Sequence, residues 1–255
     1  MSKRSNWSIP YVIFLVFFVV LPLVLVMVYA FQDSQGHFTL GNLAKFFTDK
    51  DALSTFAVSI EVALENTALC ILLGYPAAWI LANKQYNRSA VTIVLFIMPM
   101  WINALMRTLA TAQLFTMLDI TLGKGTLLFG MVYDYLPFMI YPIYNVLVKM
   151  DKSYAEAAVD LGATPWTAFW KVTVPLSMPG VMSGVLMVFM PTVSTFAISE
   201  FLTNNKIKLF GTIIQENINS SMWNYGAALA FVMLIIIGIT TLFDKDKEEL
   251  EGGLI

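Results

Sequence analysis

The sequence predicts an all-α integral membrane protein with six transmembrane helices in a single domain that spans residues 1–255. Hydrophobic residues make up 58% of the chain and charged residues 13%, whereas soluble domains average about 45–50% apolar and about 25% charged residues. A soluble fold could not cover so much apolar surface with so few charges, but lipid can. The second observation is a series of apolar stretches that are long enough, or nearly so, to cross a bilayer core, which takes about 20 helical residues.

The apolar stretches predict the individual spans. Their approximate bounds are 11–31, 56–81, 91–118, 127–148, 178–202 and 225–243. The first stretch follows Lys3 and Arg4, but it is longer than the apolar core of a secretory signal, which has about 7–15 residues. We therefore expect it to be retained as the first helix.

The distribution of basic residues predicts the orientation. With six spans, the loops on the side of both termini hold nine of the 15 basic residues, and the opposite loops hold six. Cytoplasmic loops are enriched in lysine and arginine. Both termini are therefore predicted to be cytoplasmic.

Composition argues against several classes of function. The net charge is only −2, so no strong field attracts nucleic acid. The single cysteine, Cys70, lies in an apolar run, and the single histidine, His37, has no partner histidine for a metal site. The sequence also has no G-x-x-x-x-G-K-[ST] loop, which in nucleotide-hydrolysing proteins cradles the phosphates. We expect a protein without enzymatic activity or cofactor of its own.

The loop between the fourth and fifth spans, residues 149–177, predicts a pair of short helices. Ser153 and Glu156 have capping-box spacing, and Gly162 stands where a left-handed helix end is expected. Thr164 and Pro165 then fit the cap and first position of a second helix. We call residues 149–177 the helical loop.

The second of these helices carries Trp166, Phe169 and Trp170 on one face. Helices this short are marginal alone, so their apolar face needs a cover. One interpretation is an interfacial helix that lies on the bilayer, where tryptophan is favoured. The other is a docking element for a cytoplasmic partner.

The helical loop resembles the signature of ABC importer permeases, a Glu-Ala-Ala triplet followed by Gly and then by Ile-x-Leu-Pro. The matching residues are Glu156, Ala157, Ala158, Gly162, Val172, Val174 and Pro175, with valine in place of the isoleucine and the leucine. The resemblance implies the type I importer permease fold, with the loop as a coupling helix whose Glu156, Ala157, Ala158 and Gly162 contact an ATPase. It also implies a second permease subunit, two cytoplasmic ATPase subunits that bind the ATP, and an external substrate-binding protein, all at a bacterial cell membrane.

Further segments resemble the permease subunits of spermidine/putrescine importers, most closely the first of the two. They are Gly74-Tyr75-Pro76, Met98 to Asn103, Leu136 to Met139, and Ser199 to Leu202. The resemblance implies that the solute is a polyamine.

Acidic and aromatic residues within the predicted spans fit that solute. A charge in a span is costly and usually faces a cavity or a partner, and aromatic rings attract cations. The candidate substrate-path residues are Trp101, Tyr133, Asp134 and Glu200. Each has an alternative: Glu200 as a headgroup-layer residue, Asp134 as a structural partner of Arg107, and Trp101 as an interfacial anchor.

Other functions stay open at this point. A permease for an anion or a metal chelate would favour Arg107 facing the pore. A secondary transporter would have inverted-repeat halves, and a membrane enzyme would need clustered histidine or carboxylate groups. The prolines at 99, 137, 142 and 191 favour a transport path, because broken backbone hydrogen bonds at membrane depth are tolerated where protein or water satisfies them.

Overall fold

The computed structural model describes residues 9–84, 87 and 91–252, and this part of the chain is helical apart from turns and one isolated bridge between Gln32 and Phe38. The first half contains α1 (Ile9–Leu15), a π-helical turn (Val16–Val20), α2 (Leu21–Ala30), α3 (Gly41–Thr48), α4 (Lys50–Ala82), α5 (Val91–Ile97), a 3₁₀ turn (Met98–Trp101) and α6 (Ala104–Met117). The second half contains α7 (Lys124–Lys149), α8 (Ser153–Asp160), α9 (Pro165–Ala168), a π-helical turn (Phe169–Thr173), α10 (Val174–Leu176), α11 (Met178–Ser194), α12 (Ala197–Thr203), α13 (Phe210–Asn219) and α14 (Trp223–Gly252).

Helices α4, α7 and α11 pack against one another and form the centre of the molecule. Small residues let α11 approach α7: a Cβ at Gly180 would lie 2.9 Å from the Pro142 carbonyl oxygen, and one at Gly184 would lie 2.7 Å from the Met139 sulfur. The Gly-x-x-x-Gly spacing on α11 therefore serves packing within the chain. Asn66 on α4 donates a hydrogen bond to Thr192 on α11 at 2.8 Å.

A second cluster joins the outer helices. Phe46 of α3 and Phe56 of α4 make edge-to-face contacts with Phe210 at the start of α13, at centroid distances of 5.9 and 5.3 Å. Leu229 of α14 is buried in the same cluster, and α14 also packs along α2. Helices α2 and α14, from the first and last parts of the described chain, thus lie side by side.

Three helices of the described residues are long and apolar enough to cross a membrane: Pro10–Ala30, Lys50–Ala82 and Lys124–Lys149. Two bent pairs raise the number to five if each pair is one span. The predicted sixth span falls on α14, of which Trp223–Gly238 forms a shorter apolar helix. The count of six spans stays a prediction.

The predicted third span, 91–118, is not one continuous helix. Val91–Trp101 and Ala104–Met117 meet at 89°. The chain is extended at Ile102, with ψ 137°, and the Asn103 side chain accepts the backbone N–H of Leu105 at 2.9 Å. Asn103 therefore caps a new helix, which is the physical reason for the break.

The predicted fifth span, 178–202, is also divided. Helix α11 ends at Ser194, Thr195 is extended with ψ 145°, and α12 begins at Ala197. Pro191 lies in the last turn of α11 and removes one backbone donor there. At its other end, α11 meets the segment Pro165–Leu176 at 61°.

Candidate functional site

The first candidate site is the helical loop, whose tip has the predicted left-handed helix end. Gly162 has φ +89°. Its N–H donates to the Val159 carbonyl at 2.9 Å, and the Ala163 N–H donates to the Ala158 carbonyl at 3.0 Å. These two bonds form a Schellman motif, which satisfies the last carbonyls of α8. The role predicted for Gly162 in the turn is confirmed.

The beginning of α8 corrects the predicted capping box. The Ser153 side chain caps no backbone group; instead, the Asp151 carboxylate accepts the Ser153 N–H at 2.9 Å. This hydrogen bond lowers the pKa of Asp151 below its ordinary value. Asp151 precedes the helix and takes the capping role that the Ser153–Glu156 spacing predicted for Ser153. The carboxylate of Glu156 is left exposed to solvent.

The second helix starts as predicted. The Thr164 side chain accepts the Thr167 N–H at 3.2 Å, and Pro165 takes the first helical position. Phe169 is directed toward α4, with its ring 5.9 Å from Tyr75 and 5.6 Å from Trp79. The aromatic face predicted on this helix is therefore anchored to the helix bundle through one of its three rings.

The outer surface of the helical loop is open. Glu156, Ala157 and Gly162 are exposed, and Ala158 is half-buried. Leu161 at the tip is 90% exposed, and Trp166 is 69% exposed. Apolar side chains this exposed mark a surface for protein or lipid. All four predicted coupling residues thus lie on or next to an uncovered face of one short helix.

A groove of about 430 Å³ lies beneath that face. Its walls are the side of α8 that carries Ala155, Glu156 and Val159, the start of the second helix, and the ends of α4 and α7 near Ala82 and Met150. The helical loop therefore touches the bundle at its base, while its tip projects away.

The second candidate site is the predicted substrate path, whose four residues differ in exposure and in contacts. Trp101 is 78% exposed and ends the 3₁₀ turn at the 89° break. The indole ring is therefore accessible from outside the described chain. Its position suits either a path residue or an interfacial anchor.

Asp134 is 1% exposed and lies beside a cation. Its Oδ1 is 3.2 Å from the Arg107 Nε, and its Oδ2 accepts the Thr108 hydroxyl at 3.1 Å. The contact is an ion pair and not a hydrogen bond, since Arg107 Nε and Nη1 and Asp134 Oδ1 have no hydrogen-bond partner among the described residues. This arrangement agrees with the structural alternative for Asp134, which named Arg107 as its partner.

Tyr133 also lies close to Arg107. The guanidinium carbon is 5.7 Å from the centroid of the Tyr133 ring, within cation–π range. Tyr133 itself is 43% exposed. Asp134, Arg107 and Tyr133 therefore form one group between α6 and α7.

Glu200 lies on α12, which packs against α6 and α7. It is half-buried, and its carboxylate has no hydrogen bond or ion pair within the described part of the chain. A partly buried carboxylate without a counter-ion attracts cations from outside the chain. Of the two predicted acids, only Glu200 is free to do so.

Sequence reasoning missed several contacts of this region. Lys124 bridges two acids of α4, with its Nζ 2.7 Å from Glu61 and 2.8 Å from Glu65. The Tyr75 hydroxyl lies 2.8 Å from the Ser177 hydroxyl, 102 positions along the chain. The Glu61–Glu65 spacing hinted at the first contact; no local signal predicted the second. In the described residues, no cluster of His, Cys, Asp or Glu is suited to a metal ion.

The sequence is similar to those of named transport proteins. It is 32% identical to the spermidine/putrescine transport system permease protein PotB of Salmonella typhimurium, over 94% of this chain and 92% of the relative. It is also 32% identical to PotB of Escherichia coli, over 80% and 81%. A PotB homologue of Mycoplasma genitalium is 24% identical over 94% and 91%.

The fold is similar to that of a solved bacterial ABC transporter that imports the acidic polysaccharide alginate. The TM-score is 0.67 at 14% identity, over 95% of both chains. A structure of the alginate transporter in complex with a periplasmic protein bound to alginate pentasaccharide gives 0.68 at 14% identity, over 94% of this chain and 92% of the other. At this identity the likeness concerns the fold alone, and it confirms the predicted all-α importer permease fold.

The family model for the binding-protein-dependent transport system inner membrane component matches residues 2–245. The match agrees with the predicted multi-pass membrane protein and with the resemblance in the helical loop. The chain belongs to this family, the permease subunits of ABC importers.

Proposed function

We propose that this chain is a permease subunit that moves polyamines, such as spermidine and putrescine, into the cell by alternating access. The observation that carries the proposal is the 32% identity to a spermidine/putrescine permease along 94% of the chain. Because the similarity extends along nearly the whole chain, it includes the predicted substrate path as well as the helical loop. The free carboxylate of Glu200 supports a cationic solute.

The remaining subunits follow from the family. A second, related permease completes the pore, two cytoplasmic ATPase subunits bind and hydrolyse ATP, and an external substrate-binding protein delivers the solute. This chain then needs no cofactor. Both termini and the helical loop face the cytoplasm, as the bias of basic residues favours.

Coupling to the ATPase is assigned to Glu156, Ala157, Ala158 and Gly162. Small side chains at 157 and 158 let the partner approach the α8 backbone closely. The Schellman motif at Gly162 fixes the end of α8, so that a push on α8 is passed to the next helix as a rigid displacement. ATP binding favours the outward-open state, into which the binding protein releases its solute.

In the passage, Glu200 pairs with an ammonium group of the solute, while Trp101 and Tyr133 offer ring faces, each worth about 0.5–2 kcal/mol of cation–π attraction. Asp134 acts through Arg107: by holding the guanidinium at 3.2 Å, it keeps that charge from repelling a cationic solute. With the Arg107 charge neutralised by Asp134, the carboxylate of Glu200 leaves the passage negatively charged.

An anion permease is the second candidate, and the position of Arg107 argues against it. An anion site would present the guanidinium to the solute, but the Arg107 side chain is 5% exposed and faces Asp134. The likeness to the alginate transporter rests on 14% identity and carries no information on the solute.

The test is ATPase stimulation of the assembled importer. The chain is co-purified with the products of neighbouring genes, reconstituted in liposomes, and assayed with spermidine, putrescine, sulfate and maltose. Polyamines should stimulate ATP hydrolysis and accumulate in the liposomes. Stimulation by sulfate alone would overturn the polyamine proposal and leave the family assignment intact.

A further inference from the structure

The helical loop is also attached to α4. The loop joins the bundle covalently at α7 and at α11, but α4 is distant in sequence. Contact with α4 is made by Phe169, whose ring meets Tyr75 and Trp79 edge-to-face, at interplanar angles of 77° and 80°. Tyr75 and Trp79 are one helical turn apart, so they form a single surface on α4.

A hydrogen bond lies beside this aromatic contact. Ser177 is fully buried and separates α10 from α11, at the 61° bend. Its hydroxyl donates to the Val174 carbonyl at 2.9 Å. Because that bond uses its only proton, Ser177 accepts from the Tyr75 hydroxyl, at 2.8 Å.

The bend itself is closely tied by backbone bonds. The Ser177 N–H donates to the Thr173 carbonyl at 3.0 Å, and the Ser177 carbonyl accepts the N–H groups of Gly180 and Val181. The helix therefore changes direction at Ser177 without leaving these backbone groups unpaired. A displacement of the segment Pro165–Leu176 therefore moves the bend at Ser177 as a unit.

We propose that Tyr75 and Ser177, together with Phe169, form a brace that transmits movement of the helical loop to α4. Without the brace, a push from the loop would reach α4 only indirectly, through the packing of α4 against α7 and α11. With the brace, the push also acts directly on α4, which packs against both α7 and α11, so the three central helices move together. Tyr75 and Ser177 are thus positioning residues for transport. This inference rests on the proposed docking of the loop to an ATPase.

The experiment measures solute taken up per ATP hydrolysed by the reconstituted importer. Tyr75→Phe and Ser177→Ala both remove the Tyr75–Ser177 hydrogen bond and little volume, and Ser177→Ala also removes the bond to the Val174 carbonyl. Each should lower the ratio by about 2- to 10-fold, the range expected for one hydrogen bond, with the ATPase rate retained. Because the Tyr75–Ser177 bond is already lost in Ser177→Ala, the double variant should fall no further than Ser177→Ala alone.

Tyr144→Phe is the matched control. It removes a tyrosine hydroxyl from the neighbouring helix α7, where the described residues give that hydroxyl no hydrogen-bond partner. Its uptake per ATP should equal that of the unaltered chain. The melting temperature of each complex is measured in parallel.

Three results would overturn the brace: an unchanged ratio in both single variants, an additive loss in the double variant, or a fall in uptake, ATPase rate and melting temperature together. If the importer carries a solute other than a polyamine, the ratio is measured with that solute, and the polyamine assignment alone fails. If no ATPase binds the loop, the brace proposal fails as well.

Discussion

Removing one charge from the buried Arg107–Asp134 pair distinguishes a structural role for Asp134 from direct contact with solute. Asp134→Asn keeps the shape of the side chain and its bond with Thr108, but it leaves the Arg107 guanidinium without a counter-ion. The two side chains are 5% and 2% exposed. Water therefore cannot compensate for the lost charge.

Breaking a buried pair by removing one partner costs about 3–5 kcal/mol. For a chain of this length, 1 kcal/mol shifts Tm by about 2–4 °C. Asp134→Asn and Arg107→Met should each lower the Tm of the detergent-solubilised importer by about 6–20 °C. The double variant carries no buried charge at this place and should recover more than half of that loss.

The assay is thermal unfolding followed by the fluorescence of the chain's tryptophans or by loss of the monodisperse peak, with polyamine uptake measured on the same preparations. If Asp134 acts through Arg107, the double variant regains uptake along with stability. Additive destabilisation in the double variant would refute the reasoning. So would an Asp134→Asn variant that keeps its Tm and loses uptake, because Asp134 would then meet the solute itself.

Three further changes test the remaining residues of the two sites. At Gly162 a Cβ would meet no atom within 4 Å, but φ is +89°, so valine adds backbone strain of about 1–2 kcal/mol. Gly162→Val should therefore lower uptake per ATP with membrane insertion retained. Gly162→Asn should keep most of the uptake per ATP. Glu200→Gln should lower polyamine uptake by about 10-fold or more, whereas Glu216→Gln, which alters an exposed acid paired with Lys208, should leave uptake unchanged. Trp101→Ala should lower uptake by about 2- to 30-fold and Trp101→Phe by less; equal losses in both would indicate an anchor role.

Features encoded by neighbouring residues were predictable from the sequence. Gly162, Thr164 and Pro165 specify a helix end and a helix start by their own backbone preferences, and the structure has both. The capping box at Ser153 failed because a second capping residue, Asp151, stands two positions earlier. Local patterns of this kind compete, and the sequence alone does not rank them.

Contacts between distant residues were not predictable in the same way. The sequence presented Asp134 and Glu200 as similar acids within spans and offered Arg107 only as an alternative partner of Asp134. Tertiary packing places Arg107 against the first and no described cation against the second. Spacing along the chain could not distinguish these outcomes, because Arg107 and Asp134 lie on different helices. The partnership of Tyr75 with Ser177 is hidden for the same reason.

The helix breaks provide an argument for the passage that does not depend on relatives. Trp101 lies immediately before the break at Ile102, and Glu200 lies on the short helix that follows the break at Thr195. Non-helical backbone at membrane depth is tolerated only where it is buried in protein or lines a water-filled cavity. The first break is encoded locally, by Asn103 as a cap, and Pro191 lies in the last turn before the second. We therefore infer that the two interrupted helices line a passage, and that Trp101 and Glu200 lie beside it.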